Sequence, residues 1–140
     1  MESFVADDGV RVAYHEWGAS NPGVPVLLHH GFINSARSNC ESTGFVEALT
    51  TAGRRVVGID ARGHGDSDKP HDPSKYGERR MSADHLGLGR YDLVGYSMGA
   101  VVSLITASLA GAELVVVDGN HLSALTHSPA QLVVDFLERS

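Results

Sequence analysis

The sequence holds a single cysteine, Cys40. No intrachain disulfide can form, and there is no thiolate cluster to bind a metal. Long apolar runs are also missing, and none approaches the roughly 20 residues that cross a bilayer. Glu2, Asp7, Asp8 and Arg11 break up the N-terminal stretch, which does not resemble a signal peptide. The expected location is therefore the cytoplasm, with no membrane partner. Basic residues are scarce: 11 Lys and Arg stand against 17 Asp and Glu, for a formal net charge of -6. That balance aids solubility and argues against a nucleic-acid partner. No internal repeat is visible. Gly63-His64-Gly65 fits neither the dinucleotide-binding nor the P-loop pattern.

What remains is an ordinary globular balance, 42% hydrophobic and 20% charged over 140 residues. This suits one domain, residues 1–140, with one core. Ser3 to Ala6 and Val10 to Trp17, joined at Asp7-Asp8-Gly9, read as an edge hairpin. Pro25 to His29 is a continuous apolar strand, as a central parallel strand should be. A helix begins between Ser35 and Glu41 and is clearest from Phe45 to Ala52. Arg54 to Asp60 is a second buried strand, followed by a loop reaching about Gly77. Glu78 to Leu88 is a short helix, and Arg90 to Val94 the next strand. Met98 to Leu109 is a helix capped by Gly111. Glu113 to Val117 is the last strand. Ser128 and Pro129 open a closing helix that runs to about Glu138. Strands alternating with helices predict an α/β fold: a mostly parallel sheet in a three-layer α/β/α sandwich.

Ligands of such sheets bind beyond the carboxyl ends of the strands. The polar clusters fall there: His29-His30-Gly31, Asp60 to Asp68, Ser97, and Asp118 to His121. Gly95-Tyr96-Ser97-Met98-Gly99 is a G-x-S-x-G pentapeptide between a strand and a helix, the context in which a serine is held out on a strained turn. A serine hydroxyl is a weak nucleophile and needs a base. His121, just after the last strand, is the best candidate; His64, between two glycines on another strand end, reads as a loop-structuring residue and is the weaker candidate base. His29 and His30 shape the pocket floor, and His85 reads as a surface or core-edge residue. His15, His71 and His127 carry no signal. An oxyanion hole needs backbone N–H groups. The candidates are the Met98 and Phe32 amides, with His30, Gly31 and Tyr96 lining the pocket. Asp118 is the candidate for the acid that orients the base. Asp60, Asp66, Asp68, Asp84 and Asp92 are alternatives, the first three fitting loop scaffolding better.

Leu28-His29-His30-Gly31-Phe32, Asp60-Ala61-Arg62-Gly63-His64-Gly65-Asp66-Ser67-Asp68, Gly95-Tyr96-Ser97-Met98-Gly99 and Val115-Val116-Val117-Asp118-Gly119-Asn120-His121-Leu122 occur in this order. Together they resemble the α/β-hydrolase fold superfamily, in particular its small serine esterases and haloperoxidase-like members. The resemblance implies a minimal α/β-hydrolase fold. Members are usually much longer. Set against that pattern, the sequence reads as a shortened form lacking the cap, two strands and the loop that usually carries the triad acid. The last strand would then lie beside the elbow strand, roughly 4.8 Å away. His121 and Asp118 would approach Ser97 from a neighbouring strand end. An apolar VVVD edge would favour pairing, so a homodimer or larger oligomer is expected.

The function expected from these residues is a serine hydrolase acting on small carboxylic esters through an acyl-enzyme, with neither metal nor organic cofactor. Alternatives are perhydrolase or haloperoxidase-like activity, lactone hydrolysis, and a catalytically weak remnant acting as a binding or scaffold module. Haloalkane dehalogenases and epoxide hydrolases of this superfamily carry an aspartate where this chain has Ser97, which disfavours both activities.

Overall fold

The centre of the sheet is β3, Val26–His29, with all four residues buried. An unbroken apolar run suits a strand covered on both faces. In this computed structural model, which describes residues 1–112 and 130–139, β3 lies between β4 (Val56–Ile59) and β5 (Asp92–Gly95) and is parallel to both. β2, Arg11–Trp17, runs antiparallel along the far side of β4, and β1, Glu2–Val5, antiparallel along β2. The described sheet has the order β1-β2-β4-β3-β5. Val26 faces Val56 and Asp92, while His29 faces Ile59 and Gly95. This register ends the three parallel strands level with one another. His30, Asp60 and Tyr96 therefore leave the sheet side by side.

Alternation along β3 sends side chains to two cores. Val26 and Leu28 join Val56, Cys40, Val46, Leu49 and Val134 on one face. That face is covered by α1, Phe45–Thr51, and α4, Ala130–Leu137. Leu27 and Ile59 join Val10 and Val12 on the other. There α2, Glu78–Leu86, packs against α3, Met98–Ala110, and Met81 meets Val102. The result is the expected three-layer α/β/α arrangement with a parallel centre. Burial pushes the Cys40 thiol up to about 12, so this cysteine is a core residue without nucleophilic character.

The helix expected to begin between Ser35 and Glu41 is divided. A π-helical turn, Arg37–Glu41, comes first, and α1 opens only after Gly44, at φ 81°. Between them the Ser42 and Thr43 hydroxyls donate back to the carbonyls of Ser38 and Asn39, a local bonding that competes with a continuous helix. α3 ends as expected on Gly111, in the left-handed region at φ 65°. The strand expected at 113–117, the edge it would form and the Ser128-Pro129 helix start lie outside the described residues.

Candidate active site

Ser97 is the only non-glycine residue with positive φ among the described residues, at φ 54° and ψ -115°. Such a conformation is strained and persists only where the surroundings enforce it. Here they do. The Tyr96 N–H donates to the His29 carbonyl at 3.0 Å, and the Gly99 N–H to the His30 carbonyl at 3.1 Å. The turn is thereby laid across the end of β3. A β-carbon on Gly99 would overlap the His29 carbonyl, and one on Gly95 would overlap the Gly99 carbonyl and Ser103 Oγ. The two glycines of the motif are thus demanded by close backbone approach. Ser97 sits at the N-cap of α3, at the positive end of the helix.

The strand-end loop beside it is bonded almost group by group. The Gly31 N–H donates to Asn39 Oδ1 at 2.9 Å, from the π-helical turn. The Gly31 carbonyl accepts from the Asn34 N–H at 3.1 Å and from His30 Nδ1 at 2.7 Å. His30 Nε2 accepts from the Ala61 N–H at 3.0 Å, so the proton of this imidazole belongs on Nδ1. Burial lowers the His30 pKa and keeps the ring neutral. The Phe32 carbonyl meets His64 Nε2 at 2.5 Å. Among the described residues, the Phe32 and Met98 N–H groups have no hydrogen-bond acceptor. A β-carbon on Gly31 would lie 3.1 Å from the Tyr96 ring and 3.4 Å from Ser97 Cβ, so this loop and the serine share one small space. Its mouth is open: Phe32 is 69% exposed and Ile33 90%.

Most of the alternative orienting acids are held elsewhere. Asp60 is buried and accepts from the Ala36 N–H at 2.7 Å and the Asp66 N–H at 2.9 Å. Asp68 accepts from the Arg11 N–H, and Asp92 pairs with Arg54. Asp84 is bonded by the fully buried Arg62 guanidinium at 2.6 and 2.8 Å, and Asp8 by the same guanidinium at 2.8 Å. The hydrogen bond from Arg62 holds Asp8 down at about 2, while burial pushes Asp84 up against the pull of Arg62. Burial works against the charge on Arg62, but its two carboxylates more than offset that. His15, Asp60 and Asp66 bring one ligand atom each within 4.8 Å of one another, the one described trio with metal-ligand spacing. Both Asp60 oxygens already accept backbone N–H bonds, which fits a loop brace.

His85 corrects an expectation. It is fully buried, not at the surface. Thr106 donates its hydroxyl to the Val102 carbonyl at 2.9 Å and lies 3.1 Å from His85 Nδ1, which therefore donates to it. His85 Nε2 is left to accept from His29 Nδ1 at 2.6 Å. His29 Nε2 then carries only a lone pair and meets no partner among the described residues. Burial drives both histidines toward neutrality, His85 to about 4. His121 and Asp118 lie outside the described residues. The described part of the candidate site thus unites Ser97, Met98, Tyr96, His30, Gly31 and Phe32. Sequence reasoning assigned no role to Asn39, bonded to Gly31 from another element, or to Arg62, whose acid partners Asp8 and Asp84 lie 54 and 22 residues away.

The sequence profile of the alpha/beta hydrolase fold matches residues 24–132. Epoxide hydrolase A of Mycobacterium tuberculosis is 38% identical over 108 residues, covering 72% of this chain and 32% of that protein. A non-heme haloperoxidase of Rhodococcus erythropolis is 34% identical over 103 residues, covering 71% and 35%. Among solved structures, an epoxide hydrolase from an endophytic Streptomyces superposes with a TM-score of 0.67 at 30% identity, over 79% of this chain and 33% of that one. The chain thus spans about a third of the length of the curated relatives it matches. The strained serine on its strand-to-helix turn and the profile match lead to one conclusion: this chain belongs to the alpha/beta hydrolase fold family.

Proposed function

We propose that the chain is a serine hydrolase for small carboxylic esters. The observation that carries this reading is Ser97 at φ 54°, wedged between glycines at the N-cap of α3 beside two amides that bond nothing among the described residues. Ser97 Oγ attacks the acyl carbon, and His121 accepts its proton. The Phe32 and Met98 N–H groups take the negative charge of the tetrahedral oxygen. The C–O bond to the alcohol breaks, with the leaving oxygen receiving that proton. Water, deprotonated by the same base, then releases the acid from the acyl-enzyme. Asp118 is the residue proposed to orient His121.

One chemical point favours this over epoxide hydrolysis, and the exposure of the site bears on the size of the acyl group. A serine opening an epoxide would form an ether that water does not cleave, whereas attack on an ester gives another ester that water does. The exposed Phe32 and Ile33 leave the mouth wide, which suits short acyl groups and modest rates because water is poorly excluded. Perhydrolysis and lactone hydrolysis would use the same serine.

The test is p-nitrophenyl acetate turnover with fluorophosphonate labelling. Wild type turns over and is labelled on Ser97, and Ser97→Ala loses both. Equal turnover in the two proteins, with no label, would eliminate the reading. Asp118→Asn lowers kcat by about 10⁴-fold if the triad is complete.

A further inference from the structure

We propose that His64 is a positioning residue for the oxyanion loop, holding the Phe32 carbonyl so that residue 32 and its N–H stay in place beside the reacting oxygen. The inference rests on the hydrolase reading above and adds a residue to it. An amide N–H in a flexible loop is a poor oxyanion donor, because its direction must be fixed before charge develops. The Phe32 N–H lies in the peptide plane between Gly31 and Phe32, and its place in the site depends also on the next plane, between Phe32 and Ile33. The first, between Gly31 and Phe32, is held through the Gly31 carbonyl by His30 Nδ1 at 2.7 Å and the Asn34 N–H at 3.1 Å. Carbonyl and N–H point in opposite directions across a planar peptide, so holding one aims the other. The second plane, between Phe32 and Ile33, is free to turn unless its carbonyl is also held. His64 Nε2 lies 2.5 Å from that carbonyl. The first plane aims the N–H, and the second keeps residue 32, and that N–H with it, from swinging out of the site.

The clamp has a rigid base. The His64 ring lies between the His30 ring, 5.1 Å away, and the Phe32 ring, 5.7 Å away and edge-on. The backbone N–H of His64 donates to the Ala61 carbonyl at 2.8 Å, closing a turn over Arg62. Arg62 is in turn fixed by Asp8 and Asp84, so His64 reaches out from one of the best-anchored points in the molecule. The loop it grips is the opposite case. Phe32 and Ile33 are largely exposed and have little apolar packing to hold them. Their order depends on hydrogen bonds, and the one to the Phe32 carbonyl comes from His64.

The experiment compares wild type, His64→Ala and His64→Gln, the last keeping an N–H close to the position of Nε2. Two readouts are taken: p-nitrophenyl acetate kinetics, and amide hydrogen exchange in the peptide spanning residues 30–36. His64→Ala is expected to lower kcat about tenfold, less than outright loss of an oxyanion donor, with KM within about twofold. Exchange in that peptide quickens by about tenfold or more. His64→Gln restores the protection and most of kcat, which a merely space-filling role would not do. Unchanged kcat and exchange in His64→Ala would overturn the proposal, as would His64→Gln behaving like His64→Ala in both readouts. If wild type neither turns over nor labels at Ser97, the hydrolase reading itself fails, and the positioning of an oxyanion donor falls with it. Exchange that quickens in His64→Ala and recovers in His64→Gln would then show that the clamp exists without that chemistry. Normal wild-type activity with no change in the exchange pattern leaves the hydrolase reading standing and sinks this proposal alone.

Discussion

Gly99 shows how little freedom the elbow has at the scale of one residue. A methyl group there would overlap the His29 carbonyl and crowd that of His30. These are backbone atoms of the central strand, so nothing nearby can rotate away. Gly99→Ala is expected to cost at least about 3 kcal/mol, the upper end of overpacking penalties, and to remove the Ser97 label together with it. Gly87 is the control. It has φ -67° at the end of α2, and its nearest neighbour would lie at an ordinary 3.5 Å. Gly87→Ala should therefore change stability by no more than about 1 kcal/mol, and in the stabilising direction. Urea unfolding of both variants gives the comparison. The need for Gly95 and Gly99 was legible in the sequence, because the motif states its own spacing. The left-handed φ at Ser97 follows from the same five residues. What the sequence did not carry was the bonding of Gly31 to Asn39 or of Phe32 to His64, since each joins residues from different elements.

Among the elements, the loop from Asp60 to Asp68 ties the sheet to α2. Its Arg62 is fully buried and bonds Asp84 on α2, Asp8 in the β1–β2 turn and the Lys75 carbonyl. Arg62→Ala would leave two carboxylates facing a cavity without their cation. The expected loss is about 3–5 kcal/mol, seen as a lower urea midpoint. Arg62→Lys should rescue little, because one ammonium cannot serve both carboxylates with the geometry of the guanidinium fork. Adding Asp84→Asn to Arg62→Ala should recover part of the loss, since it removes a charge that has lost its partner. The loop pattern was plain in the sequence, and so was its scaffolding character. Its partners were not: Asp8 and Asp84 lie 54 and 22 residues away along the chain, and no periodicity links them to Arg62. The helix after β3 is legible from Phe45, where α1 opens, but the break before it is not, for a related reason. Its hydroxyl side chains compete for carbonyls, and sequence spacing alone does not say where that competition ends one helical turn and starts another.

For the whole molecule, the buried His29–His85 pair ties stability to pH. Both rings are held neutral by burial, and His85 falls from 6.5 to about 4. In the unfolded chain each returns to about 6.5. Between those values the unfolded state binds protons that the folded state refuses, so stability rises with pH and is lost as pH falls. The loss begins below about 6.5 and for His85 is complete near 4. For that residue alone the difference between pH 7 and pH 5 is about 2 kcal/mol. His29 and His30, also lowered by burial, act in the same direction and steepen the slope. Asp8 adds nothing in this window, because the pH range in which its stabilisation is lost lies lower, from about 3.8 down to about 2. Urea unfolding at pH 7 and pH 5 should therefore show wild type markedly weaker in acid. His85→Gln can still bond Thr106 and His29 but takes up no proton. It should narrow the gap by about 2 kcal/mol while losing some stability at pH 7. An equal gap in the two proteins would mean that the pair is not what couples this fold to pH.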